Sequence, residues 1–216
     1  MKEPLIQMFP NKAKENGRFC GCYFADAGPE GLTAAAFAAL AGAEEEGPGP
    51  SYLCSRLLEK IEADGLALCG LRFDQVSASF EGWISGALSE LAALKDEGLI
   101  PSVPSFTAVL TVQNSCICIG RDGPRCLLLS EKILRDVNPA GSVSVCDLVI
   151  PGPAVLLLIP RDAEALLPYP YIREKLEDGR QQALSDLYKR SLRAGAAGGP
   201  MITISLSGPG GPDGSA

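Results

Sequence analysis

Residues Leu148–Leu167 (LVIPGPAVLLLIPRDAEALL) constrain the fold more than any other stretch of the chain. Within them Ala154–Ile159 is apolar without interruption and of strand length. Both faces of such a strand need apolar cover, so it belongs deep in a layered domain. Pro151-Gly152-Pro153 turns the chain just before the run, and Asp162 follows it at a sharp exit. An acid there has two readings. It caps the short helix begun by Ala163–Leu167, or it sits at a strand end where sites are often built.

Around this stretch the hydrophobic period changes several times. Leu5–Phe9 and Arg18–Ala25 read as strands, the second leading into a tight loop at Asp26–Gly31. Leu32–Ala43 reads as a helix of small residues, with Leu32, Ala35, Ala36, Ala39 and Leu40 along one face. Glu44–Pro50 is a solvated linker inside the domain, and Ser51 caps a helix carrying Leu53, Leu57, Leu58 and Ile61. Gly65–Phe73 fits a short strand without a firm period. Ser79–Glu97 is the clearest helix, with Phe80, Trp83, Ile84, Ala87, Leu88, Leu91 and Leu94 in one stripe and Gly98 as its stop.

From Ser105 the period becomes two. Phe106–Val112, Ser115–Ile119 and Cys126–Leu129 read as a three-stranded meander, Glu131–Val137 as a brief helix or loop, and Ser142–Val149 as a further strand. Helices over Pro170–Glu177 and Arg180–Arg193 and a strand over Met201–Leu206 follow. Strands cluster and outnumber crossover helices. The expected class is therefore α+β, a layered sandwich with antiparallel sheets between helix layers, in a single domain over residues 1–206. Residues 207–216 read as a disordered Gly/Pro/Ser tail.

Composition removes several functions. The net charge of −7, with the acid excess in the first hundred residues, argues against a nucleic-acid partner. No run approaches the roughly 20 apolar residues of a membrane span, and the first residues lack the apolar core of a signal peptide. A cytoplasmic protein with reduced cysteines is expected. The chain has no histidine. That excludes Ser-His-Asp and Cys-His schemes and histidine metal sites, and no Gly-rich phosphate loop is present.

Two constellations remain. Cys20-Gly-Cys22 and Cys116-Ile-Cys118 each put two thiols on one strand face, and four sulfurs would meet if those strands were neighbours; core packing is the alternative. Asp26 and Asp162 each follow an apolar strand. Two strand-end acids at one edge of a sandwich can share a hard cation such as magnesium or manganese, or each can cap its own turn.

Four segments in order resemble the metal-dependent serine/threonine protein phosphatases of type 2C. They are FCGCYFADAGPEGLTAAAFAALA, SFTAVLTVQNSCICIGRDGPRCLLL, VIPGPAVLLLIPRDAEALL and QQALSDLYKRSLRAGAAGGPMITISL. The resemblance implies a four-layer α/β-β/α sandwich and a two-metal centre that activates water. Asp26 matches the bridging acid, Ala27 the neighbouring residue whose carbonyl faces a metal, Asp162 the acid of the family's SDG motif, and Glu3 an N-terminal acid. The departures are large. The family's closing Asp-Asn falls on Gly199-Pro200, and its GDSR on Gly120-Arg121-Asp122-Gly123. The resemblance with these losses implies a degenerate Mg2+ or Mn2+ site in a regulatory or binding module, with a phosphoprotein or regulatory protein as partner. An active divergent phosphatase is the alternative.

Overall fold

The computed structural model describes residues 5–10, 18–26, 35–68, 70–112, 115–138, 144–150, 152–178 and 182–206. In chain order the elements are β1 (Leu5–Phe9), β2 (Phe19–Asp26), β3 (Ala35–Gly42), α1 (Gly49–Leu68), α2 (Phe73–Asp96), β4 (Ser105–Val112), β5 (Ser115–Arg121), β6 (Arg125–Ser130), β7 (Ile133–Asp136), β8 (Ser144–Val149), β9 (Ala154–Ile159), α3 (Arg161–Leu166), α4 (Tyr169–Glu177), α5 (Ala183–Arg193) and β10 (Met201–Leu206). The apolar run is β9, and its alternate residues serve two different cores. Leu156 and Leu158 face the other sheet, whereas Leu157 and Ile159 face helices. Each fully buried leucine contributes about 1.5–3 kcal/mol.

The strands form two five-stranded sheets among the described residues, ordered β1-β10-β9-β6-β7 and β2-β3-β4-β5-β8. Neighbouring strands are antiparallel throughout. Helices α1 and α2 cover the outer face of the β2–β8 sheet, where Leu53, Leu57, Ile61, Phe80 and Ile84 pack on Phe37 and Ile117. Helices α3, α4 and α5 cover the other sheet through Ala163, Ile172, Leu184 and Leu187. Between the sheets lies a third apolar layer of Ala36, Ala38, Leu40, Val109, Leu156 and Ile202. The architecture is the expected α+β sandwich of four layers.

One element differs in kind. Residues 35–42, read above as part of a helix, form β3, paired to β2 and β4 on its two sides. All eight residues are buried. Alanine favours helices, but the preference is worth only a few tenths of a kcal/mol per residue and tertiary burial overrides it. Ala35, Phe37, Ala39 and Ala41 face the helices while Ala36, Ala38 and Leu40 face the opposite sheet. Small side chains let both layers approach closely.

Other expectations shift with the sheets. The strand pattern from Ser105 is no single meander, because β4 and β5 pair in one sheet and β6 crosses into the other at the Asp122-Gly123-Pro124 turn. Asp122 takes φ +21° there. Asn138 ties the crossing down: its amide donates to the Thr107 hydroxyl at 2.8 Å and the Pro124 carbonyl at 2.9 Å. The segment after β6, expected as helix or loop, contains β7. Gly65–Phe73 holds no strand among its described residues, since α1 runs to Leu68 and α2 begins at Phe73, well before Ser79.

The stop of α2 is the glycine expected. Gly98 has φ +74°, its amide donates to the Lys95 carbonyl at 2.9 Å, and the Leu99 amide reaches back to the Leu94 carbonyl at 2.9 Å. This pair of bonds satisfies carbonyls that the last turn otherwise leaves open. Nothing lies within 4 Å of a Cβ added at Gly98. Gly98→Ala is therefore a test of backbone strain alone, and it should cost about 1–2 kcal/mol in a urea melt.

Candidate functional site

Several strand ends converge at one end of the sandwich. There β2 begins, β3 ends, β4 begins, β5 ends and β9 ends, and the turn into β6 passes close by. The Ser105 hydroxyl donates to the Gly42 carbonyl at 2.9 Å, and the Ala43 amide to the Arg18 carbonyl at 2.8 Å, which hold the rim in place. The result is an open cleft of about 550 Å3 whose charged lining is Arg18, Glu44, Asp122, Arg161 and Asp162. Arg18, Glu44, Asp122 and Arg161 are exposed, and Asp162 is half-buried. Neither Arg18 nor Arg161 makes an ion pair among the described residues.

Asp162 does not cap its own helix. Pro160 occupies the N-cap of α3, and Asp162 makes no cap hydrogen bond there. Its Oδ2 instead accepts the Ala197 amide at 2.8 Å. One carboxylate oxygen thus anchors the loop that enters β10, while the residue still lines the cleft.

Asp26 lies elsewhere. It pairs with Ala35 at one end of the β2–β3 hairpin, whereas Phe19 pairs with Gly42 at the cleft end. Seven residue steps separate the two ends, a span of roughly 23 Å for an extended strand. The structure therefore does not bring Asp26 and Asp162 to one edge. The strand that enters the cleft ahead of α1 is β3, whose last residue, Gly42, carries no carboxylate; Ala43 and Glu44 follow it. Ala27 and Glu3 lie outside the described residues.

The floor of the cleft carries a feature that the sequence did not signal. A Cβ added at Gly199 would stand 2.9 Å from Phe19 Cγ and 3.0 Å from Pro160 Cγ. One added at Gly42 would stand 2.8 Å from Phe19 Cε1. The Phe19 ring is wedged between two glycines, Gly42 at the end of β3 and Gly199 in the loop that enters β10. Neither position accepts a side chain without moving that ring, because real Cβ contacts below 3 Å are essentially absent.

The two cysteine pairs do not meet. Cys20 and Cys22 face α1, while Cys116 and Cys118 point to the opposite face of the same sheet, between the sheets. Each pair finds other thiols instead. Cys54 of α1 donates to the Cys20 carbonyl at 3.4 Å, and Cys22 donates to the Cys54 carbonyl at 3.4 Å. Hydrogen bonds to Cys20 and then Cys22, with burial, hold the Cys54 thiol well above the usual range. The Cys126 thiol is pushed up likewise by its hydrogen bond to Cys118 and by burial. Cys54 and Cys126 thus behave as core thiols.

No family model matches the sequence, and no curated protein matches it. Solved structures do match the fold. The serine/threonine phosphatase PstP/Ppp of Mycobacterium tuberculosis superposes with a TM-score of 0.64 at 12% identity, over 89% of this chain and 100% of that one. Serine/threonine phosphatase Stp1 of Staphylococcus aureus gives 0.66 at 11% identity, over 97% and 96%. The chain has the type 2C phosphatase-like fold. A serine/threonine phosphatase of S. agalactiae is similar at 0.66 and 9% identity, over 94% and 99%.

A two-metal centre needs several oxygen ligands directed at shared points. Among the described residues no group of three or more His, Cys, Asp or Glu side chains is arranged to hold a metal ion. The described donor set thus does not fit the centre that the resemblance implies. No helix among the described residues is long and apolar enough to cross a membrane.

Proposed function

We propose that this chain is a type 2C phosphatase-like module whose metal site is degenerate, and that it binds a phosphoprotein or regulatory partner rather than hydrolysing phosphate esters. The observation that carries this reading is the wedge of Phe19. It takes the space a side chain would need at Gly199, where the resemblance puts an acidic ligand, and at Gly42, the end of the strand that enters the cleft. Without ligands there, neither metal-bound water nor a metal clamp on the transferred phosphoryl group is provided for. Arg18 and Arg161, exposed on the rim, supply charge for contact with a partner. The module spans residues 1–206 as a single domain and works in the cytoplasm, where its thiols stay reduced.

The enzymatic alternative is a divergent Mg2+- or Mn2+-dependent phosphatase. Glu44, Asp122 and Asp162 line the same cleft but form no group arranged to hold a cation, so turnover would require them to draw together around the ion. One experiment separates the two. Calorimetry with manganese, beside hydrolysis of para-nitrophenyl phosphate, should show no saturable metal binding below millimolar and no metal-dependent turnover. Manganese-dependent turnover that is lost in Asp162→Asn would establish the enzyme instead. Turnover lost in Asp26→Ala but kept in Asp162→Asn would move the site to the far end of β2.

A further inference from the structure

The outer helix layer carries a second charged recess. Helices α4 and α5 leave a groove of about 620 Å3 between them, lined by Tyr171, Asp186, Lys189, Arg190 and Arg193. The Arg190 guanidinium lies 4.1 Å from the centroid of the Tyr171 ring, across the groove from its own helix. Stacking on an aromatic face fixes a guanidinium plane while leaving its N–H fork free. The acid in the wall is already taken, since Asp186 Oδ2 pairs with Lys175 Nζ at 3.5 Å, and that ammonium also lies 5.5 Å from the Tyr171 centroid. Lys189, Arg190 and Arg193 make no ion pair among the described residues.

A basic last turn on α5 is favourable on its own account, because cations there face the negative end of the helix dipole. That explains Arg190 and Arg193 as residue types. It does not explain why one guanidinium is held across the α4–α5 groove, nor why three cations with no ion pair among the described residues share one recess in a chain of net charge −7. A single carboxylate would occupy one of the three. A phosphate monoester, with close to two negative charges and three acceptor oxygens, matches the set better.

We propose that the α4–α5 groove is a docking site for a phosphorylated protein segment, with Arg190 and Arg193 as its main anion contacts and Lys189 at the side. The site is independent of the cleft around Asp162, and it stands whether that cleft binds, hydrolyses or does neither.

Fluorescence anisotropy with a labelled twelve-residue phosphoserine peptide tests it, alongside the same peptide carrying serine or glutamate and with inorganic phosphate as competitor. The phosphoserine form should bind at least tenfold tighter than either other peptide and weaken as salt rises from 50 to 200 mM. The double variant Arg190→Glu/Arg193→Glu should lose tenfold or more, and Arg190→Lys, which keeps the charge but not the fork, an intermediate amount. Arg72→Glu, on an exposed arginine before α2, should bind like the parent. Circular dichroism confirms that each variant is folded. Equal binding of the phosphoserine and glutamate peptides overturns the proposal. So does parent-like binding by the double variant, or a loss in Arg72→Glu as large as in the double variant.

Discussion

Truncating Phe37 to alanine should cost about 3–5 kcal/mol, the usual range for removing a fully buried phenylalanine. The ring is wholly buried in β3 and meets Phe80 of α2 edge-on, with centroids 6.1 Å apart and planes at 83°. An aromatic pair of this geometry adds about 0.5–1.5 kcal/mol beyond its buried area. Against a typical total of about 5–15 kcal/mol the loss is a large fraction, so the urea midpoint should fall far while the slope of the transition stays the same. The substitution also decides between two readings of the segment. On the helix stripe of Leu32, Ala35, Ala36, Ala39 and Leu40, Phe37 falls off the buried face, and its loss would be almost neutral. A cost under 1 kcal/mol would thus sink the strand.

The second large effect is expected where one would try to repair the cleft. Gly199→Asp puts back an acid at the position where the resemblance has a ligand, yet it should confer no manganese dependence. Its Cβ would meet Phe19 Cγ at 2.9 Å and Pro160 Cγ at 3.0 Å, so the ring or the loop must move. Overpacking of this kind costs about 1–3 kcal/mol, and an acid pressed against a phenyl ring adds desolvation. The melting midpoint should drop accordingly. Combining Gly199→Asp with Phe19→Ala should recover part of that loss, giving a non-additive cycle. If Gly199→Asp is as stable as the parent and acquires metal-dependent hydrolysis, the wedge is not what closes the site.

Much of the architecture was legible in the chain, and the reasons can be named. Ala154–Ile159 announced a strand covered on both faces, and the α2 stripe from Phe80 to Leu94 announced a helix with its stop at Gly98. Segment 35–42 satisfies the same criterion of uninterrupted apolar character as β9. Its alanines also satisfy the helical period, and periodicity alone cannot decide between the two for a short run. That one segment displaced the reading of the site. With 35–42 taken as helix, β2 became the last strand before the helices, and Asp26 inherited the position beside the cleft. With β3 in place, Gly42-Ala43-Glu44 holds it.

The cleft itself was half legible. Asp162 was marked by its place after β9, and it does line the recess, but its bond to the Ala197 amide depends on a loop 35 residues away. The wedge of Phe19 between Gly42 and Gly199 joins three distant positions, and only the closed sandwich brings them together. Of the two readings of the Cys-x-Cys pairs, core packing fits the structure, with Cys20, Cys116 and Cys118 buried and Cys22 partly buried. What the chain could not say is that the two Cys-x-Cys pairs lie on opposite faces of one sheet, since that depends on the register across β3 and β4.

The alanine strand also bears on how the chain reaches its structure. Before the sheets exist, residues 35–42 have a local leaning toward helix, opposed nearby in sequence by the hairpin with β2 alone. Its partner β4 arrives only after both α1 and α2, more than sixty residues later. Contacts of such long sequence separation form slowly because loop closure must precede any gain. The β4–β5 hairpin, with agreeing local and long-range preferences, is the natural early template. β3 is then the strand that waits, changing its backbone conformation as it docks, and the sandwich closes at the pace of its least instructed element.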